Sequence, residues 1–539
     1  MWHSKLTKLM KKKLLTTIFI TLFLVGGVIV SKVHEVSPTI VSAQTQNTDW
    51  PQFQHDAQRT GRTIPTVTVG TRLRARWIWF GSNWILRNRD TKPGVATWDD
   101  DLASYEGHNL EMPTTVPFTF AETMQPIVVN NKIFVGDHNQ NKVWALNLDD
   151  GTTLWEKDNP GGTSWTGVAT DTMVVFPSLF GFVTAWNSNT GDQLWQIDTG
   201  RTITSSPLLL GNTVYVGNHG GKVYAIDLAT GNVKWQADTG APIQGGLVTD
   251  GSKIFVATDE MFAYAFDLNG NQIAKSPRLI GQSFRGLWPL VVGNRVILRT
   301  VPAVAIGSEY FLDGVIDGTD ANFAAEQAKL KTWLEGVGKN YQHLFALDTA
   351  DLSLDYTLTN GPVGGVGNPG DVPVLTQQNQ PVTWWSTYFG TFSGCAFGCR
   401  SGHEMDIATF DLNTGAPIQF PGRSDQQLVT SVESDNTFGM TVSGNNTIYF
   451  RQQFRGTKAA SLTSLTGYAI SAEYRYRDGG GWHSPLNYAQ GNLSTFPPDA
   501  VRTPSSEERQ LSGGHVGPVI LPNRIIFTER FALTVMESY

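Results

Sequence analysis

The chain has 539 residues, too many for one ordinary compact domain unless its core is built by repetition. Only 16% of the residues are charged and the net charge is −7; beyond residue 43 the balance is 34 basic against 46 acidic residues, or −12. That acidity argues against nucleic acid and anionic membrane surfaces as partners of the main body.

The first element is a targeting segment. "KLTKLMKKK" (5–13) is basic, residues 14–30 form an uncharged apolar run of 17, and "VSAQ" sets Ser42 and Ala43 before Gln44, as at a signal-peptidase site. Seventeen apolar residues are also the lower limit for spanning a bilayer. Residues 1–43 are therefore a signal peptide or a membrane anchor. The rest of the chain is expected to be exported: secreted, periplasmic or cell-surface, touching a membrane only through this segment if it is uncleaved. No Cys precedes Cys395, which excludes a lipid anchor on an N-terminal cysteine.

Residues 44–71 read as an N-terminal extension that includes "WPQFQHDAQRTGR" (50–62). "RLRARWIWF" (72–80) is a strand with no local partner, and it carries Trp77.

A repeat follows. "VWALNLDDGTTLW", "VTAWNSNTGDQLW", "VYAIDLATGNVKW" and "AYAFDLNGNQIAK" place Asn147, Asn187, Asp227 and Asp267 at intervals of 40 residues. Weaker copies carry Asp348, Asp411, Ser471 and Glu537, which makes eight. A 40-residue period with strand-type alternation indicates four-stranded propeller blades. The unit from 205 to 238 reads as inner strand "SSPLLL", then "VYVGN", "KVYAID" and outer "VKWQAD", joined by Gly/Asn-rich turns. Trp77, Trp155, Trp195 and Trp235 are the expected docking side chains, since a wedged indole buries up to about 250 Å². The last copy ends two residues after Glu537 and has no outer strand, so 72–80 is expected to supply it and close the ring. The fold class is all-β: an eight-bladed β-propeller of four-stranded antiparallel blades over 72–539.

Long insertions are expected in the later blades. One (about 301–341) contains "TDANFAAEQAKLKTWLEGVGK", a helix with Asp320 as N-cap and Gly336 as stop. The second (about 388–406) holds Cys395 and Cys399, which in an exported protein are expected to form a small disulfide. The third is "RQQFRGTKAASLTSLTG", and a long segment joins blades 7 and 8. All fall on one face, so blades 5–8 form a decorated rim for a protein or small-molecule ligand. Gln125, Trp165, Ser205, Gln244, Arg285, Asp371 and His515 align near the starts of inner strands and are the expected lining of the axial funnel.

"AIDLATGNVKW" matches A-x-D-x-x-T-G-x-x-x-W and resembles the repeat of the pyrroloquinoline-quinone (PQQ) type β-propellers; the resemblance runs from about residue 50 to the end, and "WPQFQHDAQRTGR" resembles the opening phrase of exported members. Copies four to eight degrade and mostly lose the Trp. One branch of the superfamily is PQQ-dependent alcohol dehydrogenases. Resemblance to these implies PQQ held by Arg285, Trp165, Gln125, Gln244 and His515, calcium held by Asn368, Asp371 and Glu404, and Asp371 as catalytic base. Their adjacent Cys-Cys pair is not matched, because Cys395 and Cys399 are three residues apart. The other branch contains non-catalytic platforms, among them the lipoprotein propeller of outer-membrane assembly. Degraded repeats and the missing cysteine pair favour a binding or interaction scaffold acting through the face of blades 5–8. The alternative is a PQQ- and calcium-dependent dehydrogenase.

Overall fold

A computed structural model describes residues 48–70, 73–82, 85–87, 118–303, 323–358, 372–388, 404–418, 432–433, 437–452, 456–463, 467–469, 477–478, 481–482, 516–529 and 532–538. The chain divides into 1–47 and 48–539. The first unit, with its basic stretch, apolar run and Ala43 boundary, lies outside the described residues.

Blade 3 shows why the repeat folds as it does. Its strands, Leu208–Leu210, Thr213–Gly217, Lys222–Asp227 and Val233–Asp238, pair in sequence order. Leu208, Tyr215, Ala225 and Trp235 lie on one line across them. The small Ala225 sits opposite the large indole, and a bulge follows it. Both faces of the two central strands are buried, so neighbouring sheets must supply their cover. Between blades 2 and 3 that cover is Val183, Ala185 and Trp195 against Val214, Val216 and Ile226.

Seven such four-stranded meanders and a closing sheet make eight blades. The closing sheet takes Val519–Leu521, Arg524–Glu529 and Ala532–Ser538 from the C-terminus, and Leu73–Trp79 as its fourth strand. Leu73 pairs with Ser538 and Trp79 with Leu533, antiparallel, so an N-terminal strand closes the ring. Ile85–Arg87 adds a fifth strand outside it. The helix in blade 5 spans Phe323–Glu335, buries Leu330 and Leu334, and ends where the Gly336 N–H turns back to the Trp333 carbonyl.

The docking contact joins one blade to the next. Indole N–H groups of Trp77, Trp155, Trp195 and Trp235 donate to the main-chain carbonyls of Leu148, Ser188, Leu228 and Leu268. In blade 5 the Trp is replaced by Tyr356, whose hydroxyl donates to the Leu412 carbonyl at 2.6 Å. Gly231 explains the Thr-Gly of the repeat. Its φ is +74°, and a Cβ there would lie 2.7 Å from the Trp195 ring.

One repeat assignment is overturned. Blade 7 consists of Thr437–Val442, Thr447–Gln452, Gly456–Ser461 and Gly467–Ala469. Its third strand carries Ser461, not Ser471, at the Asp227-like position: the next residue, Leu462, donates to Asn446 as Leu228 donates to Asn212. The expected third insertion is therefore strand and turn. The cause is composition: the buried residues of "TKAAS" include the small Ala459 and Ala460, so its apolar signal is weak, yet Ala459 pairs with Tyr449 on one side and Tyr468 on the other.

Residues 50–70 run inside the ring and meet every blade in order. Trp50 exchanges two main-chain hydrogen bonds with Val128 of blade 1. Pro51 accepts from Ala169 of blade 2, and the Gln52 side chain brackets Leu209 of blade 3. Ala57, Gln58 and Thr60 accept from Thr249, Val291 and Leu375 of blades 4, 5 and 6. Gly61 and Thr63 bond Val442 of blade 7, and Thr68 accepts from Asn523 of blade 8. Eight inner strands present unpaired polar edges to the axis, and this belt pairs with them. Gly444 and Asn523, which it also touches, lie in turns from inner to second strands, so the belt fills that mouth of the ring.

The belt is locked by Arg59. Its buried guanidinium donates to the carbonyls of Phe53 (2.7 Å), Pro207 (2.6 Å) and Leu247 (3.0 Å). Burial pulls Arg59 down to about 9, opposed by the Asp56 carboxylate. Asp56 accepts from the N–H and hydroxyl of Thr60.

Candidate functional site

The axis above the belt is aromatic. Phe53 of the belt meets Trp165 edge-on at 5.5 Å and Trp288 at 4.8 Å. Leu287, Val372 and Val516 complete the cluster. Both indoles are only 2% exposed, and their N–H groups, like the amide of Gln54, are buried without a hydrogen-bond partner.

Trp165 thus stands on the axis, but most other expected lining residues do not form a polar funnel with it. Gln125 is buried as a strut: its carbonyl accepts from the Trp50 indole and the Gln54 N–H, and its amide donates to Gly517. The hydroxyl of Ser205 is also buried, donating to the Gly217 carbonyl. Gln244 and Arg285 stand at the mouth. Asn368, Asp371, His515, Cys395 and Cys399 lie outside the described residues. Glu404 begins the third strand of blade 6, where it pairs with Tyr388 and Glu433. Sequence reasoning missed Phe53 and Trp288. A signal for Trp288 existed: Pro126, Pro207, Pro289, Pro373 and Pro518 each precede an inner strand, so Trp288, not Arg285, is the equivalent of Gln125.

The open mouth is polar where blades 3 to 5 meet. His219 follows the second strand of blade 3; its N–H donates to Thr202 and its Nε2 shares a 2.7 Å hydrogen bond with the Thr204 hydroxyl. Asp259 takes the equivalent place in blade 4, with its N–H on Pro242. Its carboxylate accepts from the Gln244 amide and from the Ser283 hydroxyl at 3.0 Å. Ser283 also accepts the Arg285 N–H at 2.9 Å, and the Arg285 side chain is exposed. Burial holds His219 below the ordinary imidazole range; Asp259 opposes this and Arg285 adds to it.

PQQ carries three carboxylates on a planar quinone, so its site needs cations around an open aromatic face. The described residues do not fit it. The Trp165 and Trp288 faces are covered by Phe53 and aliphatic side chains, and the nearest described cation, Arg59 over the Phe53 ring, is spent on three main-chain carbonyls. Among the described residues no three His, Cys, Asp or Glu side chains converge as metal ligands.

Residues 139–276 and 219–325 match the family model described as outer membrane protein assembly factor BamB. Residues 139–325 thus carry the PQQ-like repeat, and the chain folds as an eight-bladed β-propeller. In fold this PQQ-like propeller is similar to quinohemoprotein alcohol dehydrogenase from Comamonas testosteroni, with a TM-score of 0.52 and 12% identity over 91% of this chain and 80% of that one. It is also similar to BamB from Moraxella catarrhalis, with a TM-score of 0.41 and 15% identity over 61% of this chain and 80% of that one. At these identities the likeness is one of fold. No curated protein matches the sequence.

Proposed function

We propose that this PQQ-like propeller is an exported, non-catalytic binding platform that holds a protein partner on its open face, on the side of blades 5 to 8. The observation that carries the reading is the packed axis. With Phe53, Trp165 and Trp288 filling it and the belt filling the opposite mouth, the open face is the surface left for a ligand. Described strands that flank long connections end on that side: Arg295–Arg299 and Leu344–Asp348 in blade 5, and Pro381–Tyr388 and Glu404–Phe410 in blade 6. A family model described as an assembly factor supports a protein–protein role.

Val337, 91% exposed just beyond the insertion helix, is the place to test this. A photoreactive amino acid at Val337 should give a discrete cross-linked species in cells, and one at Asn212, in a turn on the belt side, should not. No adduct at Val337, or the same adduct at both positions, would sink the platform reading.

A further inference from the structure

The mouth between blades 3 and 5 holds a cation whose neighbours are otherwise occupied. The Asp259 carboxylate accepts from Gln244 and Ser283, which hold it in place. The Thr204 hydroxyl and His219 are bonded to each other. Both turns are pinned by main-chain bonds, to Thr202 and Pro242. Behind them the connections pack without slack: a Cβ on Gly245 would lie 2.8 Å from the Leu287 carbonyl. Arg285 is fixed at its backbone by Ser283, its side chain is exposed, and its backbone N–H makes its one hydrogen bond among the described residues. An arginine held at the base and open at the tip suits bidentate capture of a planar anion.

We propose that Arg285, flanked by the Thr204–His219 pair, is a carboxylate-binding site on the plain-blade side of the open face. This rests on reading that face as the binding face, and it gives the partner a chemistry: an acidic side chain or a terminal carboxylate presented to the mouth. The Arg285 guanidinium is the charge that faces a ligand carboxylate, while the Asp259 carboxylate of the same mouth is turned to Gln244 and Ser283.

The test uses the full chain and a fluorescein-labelled hexaglutamate peptide in low salt, read by anisotropy, with hexaglutamine as control. Arg285→Ala should weaken hexaglutamate binding at least tenfold, and Arg285→Lys should recover only part of it, because lysine lacks the fork. Arg278→Ala, at an exposed arginine elsewhere, should change nothing. Equal binding by Arg285→Ala and the parent, or equal binding of hexaglutamine, overturns the proposal. Competition by succinate at matched carboxylate concentration assigns the site to small acids; lack of competition assigns it to polypeptide. If Val337 cross-links a partner while hexaglutamate ignores Arg285, this site is wrong and the platform stands; if both experiments fail, both readings fall.

Discussion

The indole N–H of Trp195 donates to the main-chain carbonyl of Leu228, 2.9 Å away in the next blade. One side chain from the outer strand of blade 2 thus satisfies the tight turn of blade 3, where Gly231 lies against its ring.

Truncating this contact should loosen the interface between blades 2 and 3. Trp195→Ala is expected to cost about 3–5 kcal/mol through lost burial and the cavity left behind. Trp195→Phe keeps most of the ring but leaves the Leu228 carbonyl without its donor, a loss of about 1 kcal/mol. Gly231→Ala should also destabilise, because both its φ and the Trp195 ring exclude a Cβ. Urea unfolding of the three variants checks the order. A Trp195→Ala protein as stable as the parent would refute the docking role.

The belt depends on Arg59 in the same way. Arg59→Met removes donors from three buried carbonyls, at an expected cost of about 1–3 kcal/mol for each group left unpaired. Limited proteolysis should then cut first within residues 50–70. Arg59→Lys restores the charge but not the three-way fork, and should fall between the two. If Arg59→Met leaves the proteolysis pattern unchanged, the belt is held by its main-chain pairing alone.

Acid stability should be governed in part by His343. Burial pushes this imidazole down to about 3, Arg299 adds to the shift, and the hydrogen bond to the Tyr341 carbonyl opposes it. The folded value lies below the unfolded one of about 6.5, so below pH 6.5 the unfolded state binds the extra proton. The contribution is complete above that pH and is lost as the pH falls toward 3, at up to about 1.4 kcal/mol per pH unit. His343→Phe should flatten the stability profile between pH 6 and 4. An unaltered slope would place the acid sensitivity elsewhere.

Processing is open to a direct measurement. Cleavage after Ala43 predicts an exported protein whose intact mass begins at Gln44, six residues before Trp50 enters the ring. A membrane-bound species that retains Lys11, Lys12 and Lys13 would establish the anchor instead.

The repeat was legible because its signals are local. Asp227, Gly231 and Trp235 sit at fixed short spacings within one meander, even though their contacts reach the neighbouring blades, so spacing revealed eight blades and the strand that closes them. Legibility failed where a signal depends on distant partners. Ser461 was passed over for Ser471 because two alanines give "TKAAS" a weak apolar signal, and its identity as a central strand comes from pairing with a strand on each side. Tyr356 was not recognised in the docking place of a Trp, since only its reach to Leu412 reveals it.

By itself the sequence determined the architecture of the ring, carried by period, composition and turn chemistry. The tertiary structure alone decided what fills the axis. Residues 50–70 show no strand alternation, because their partners belong to eight blades spread over nearly four hundred residues, from Val128 to Asn523, and a pairing of that kind leaves no periodic trace. The same holds for the site: Trp288 and Arg285 are three residues apart, and only the register set by Pro289 and by packing against Phe53 sends one to the core and leaves the other at the mouth.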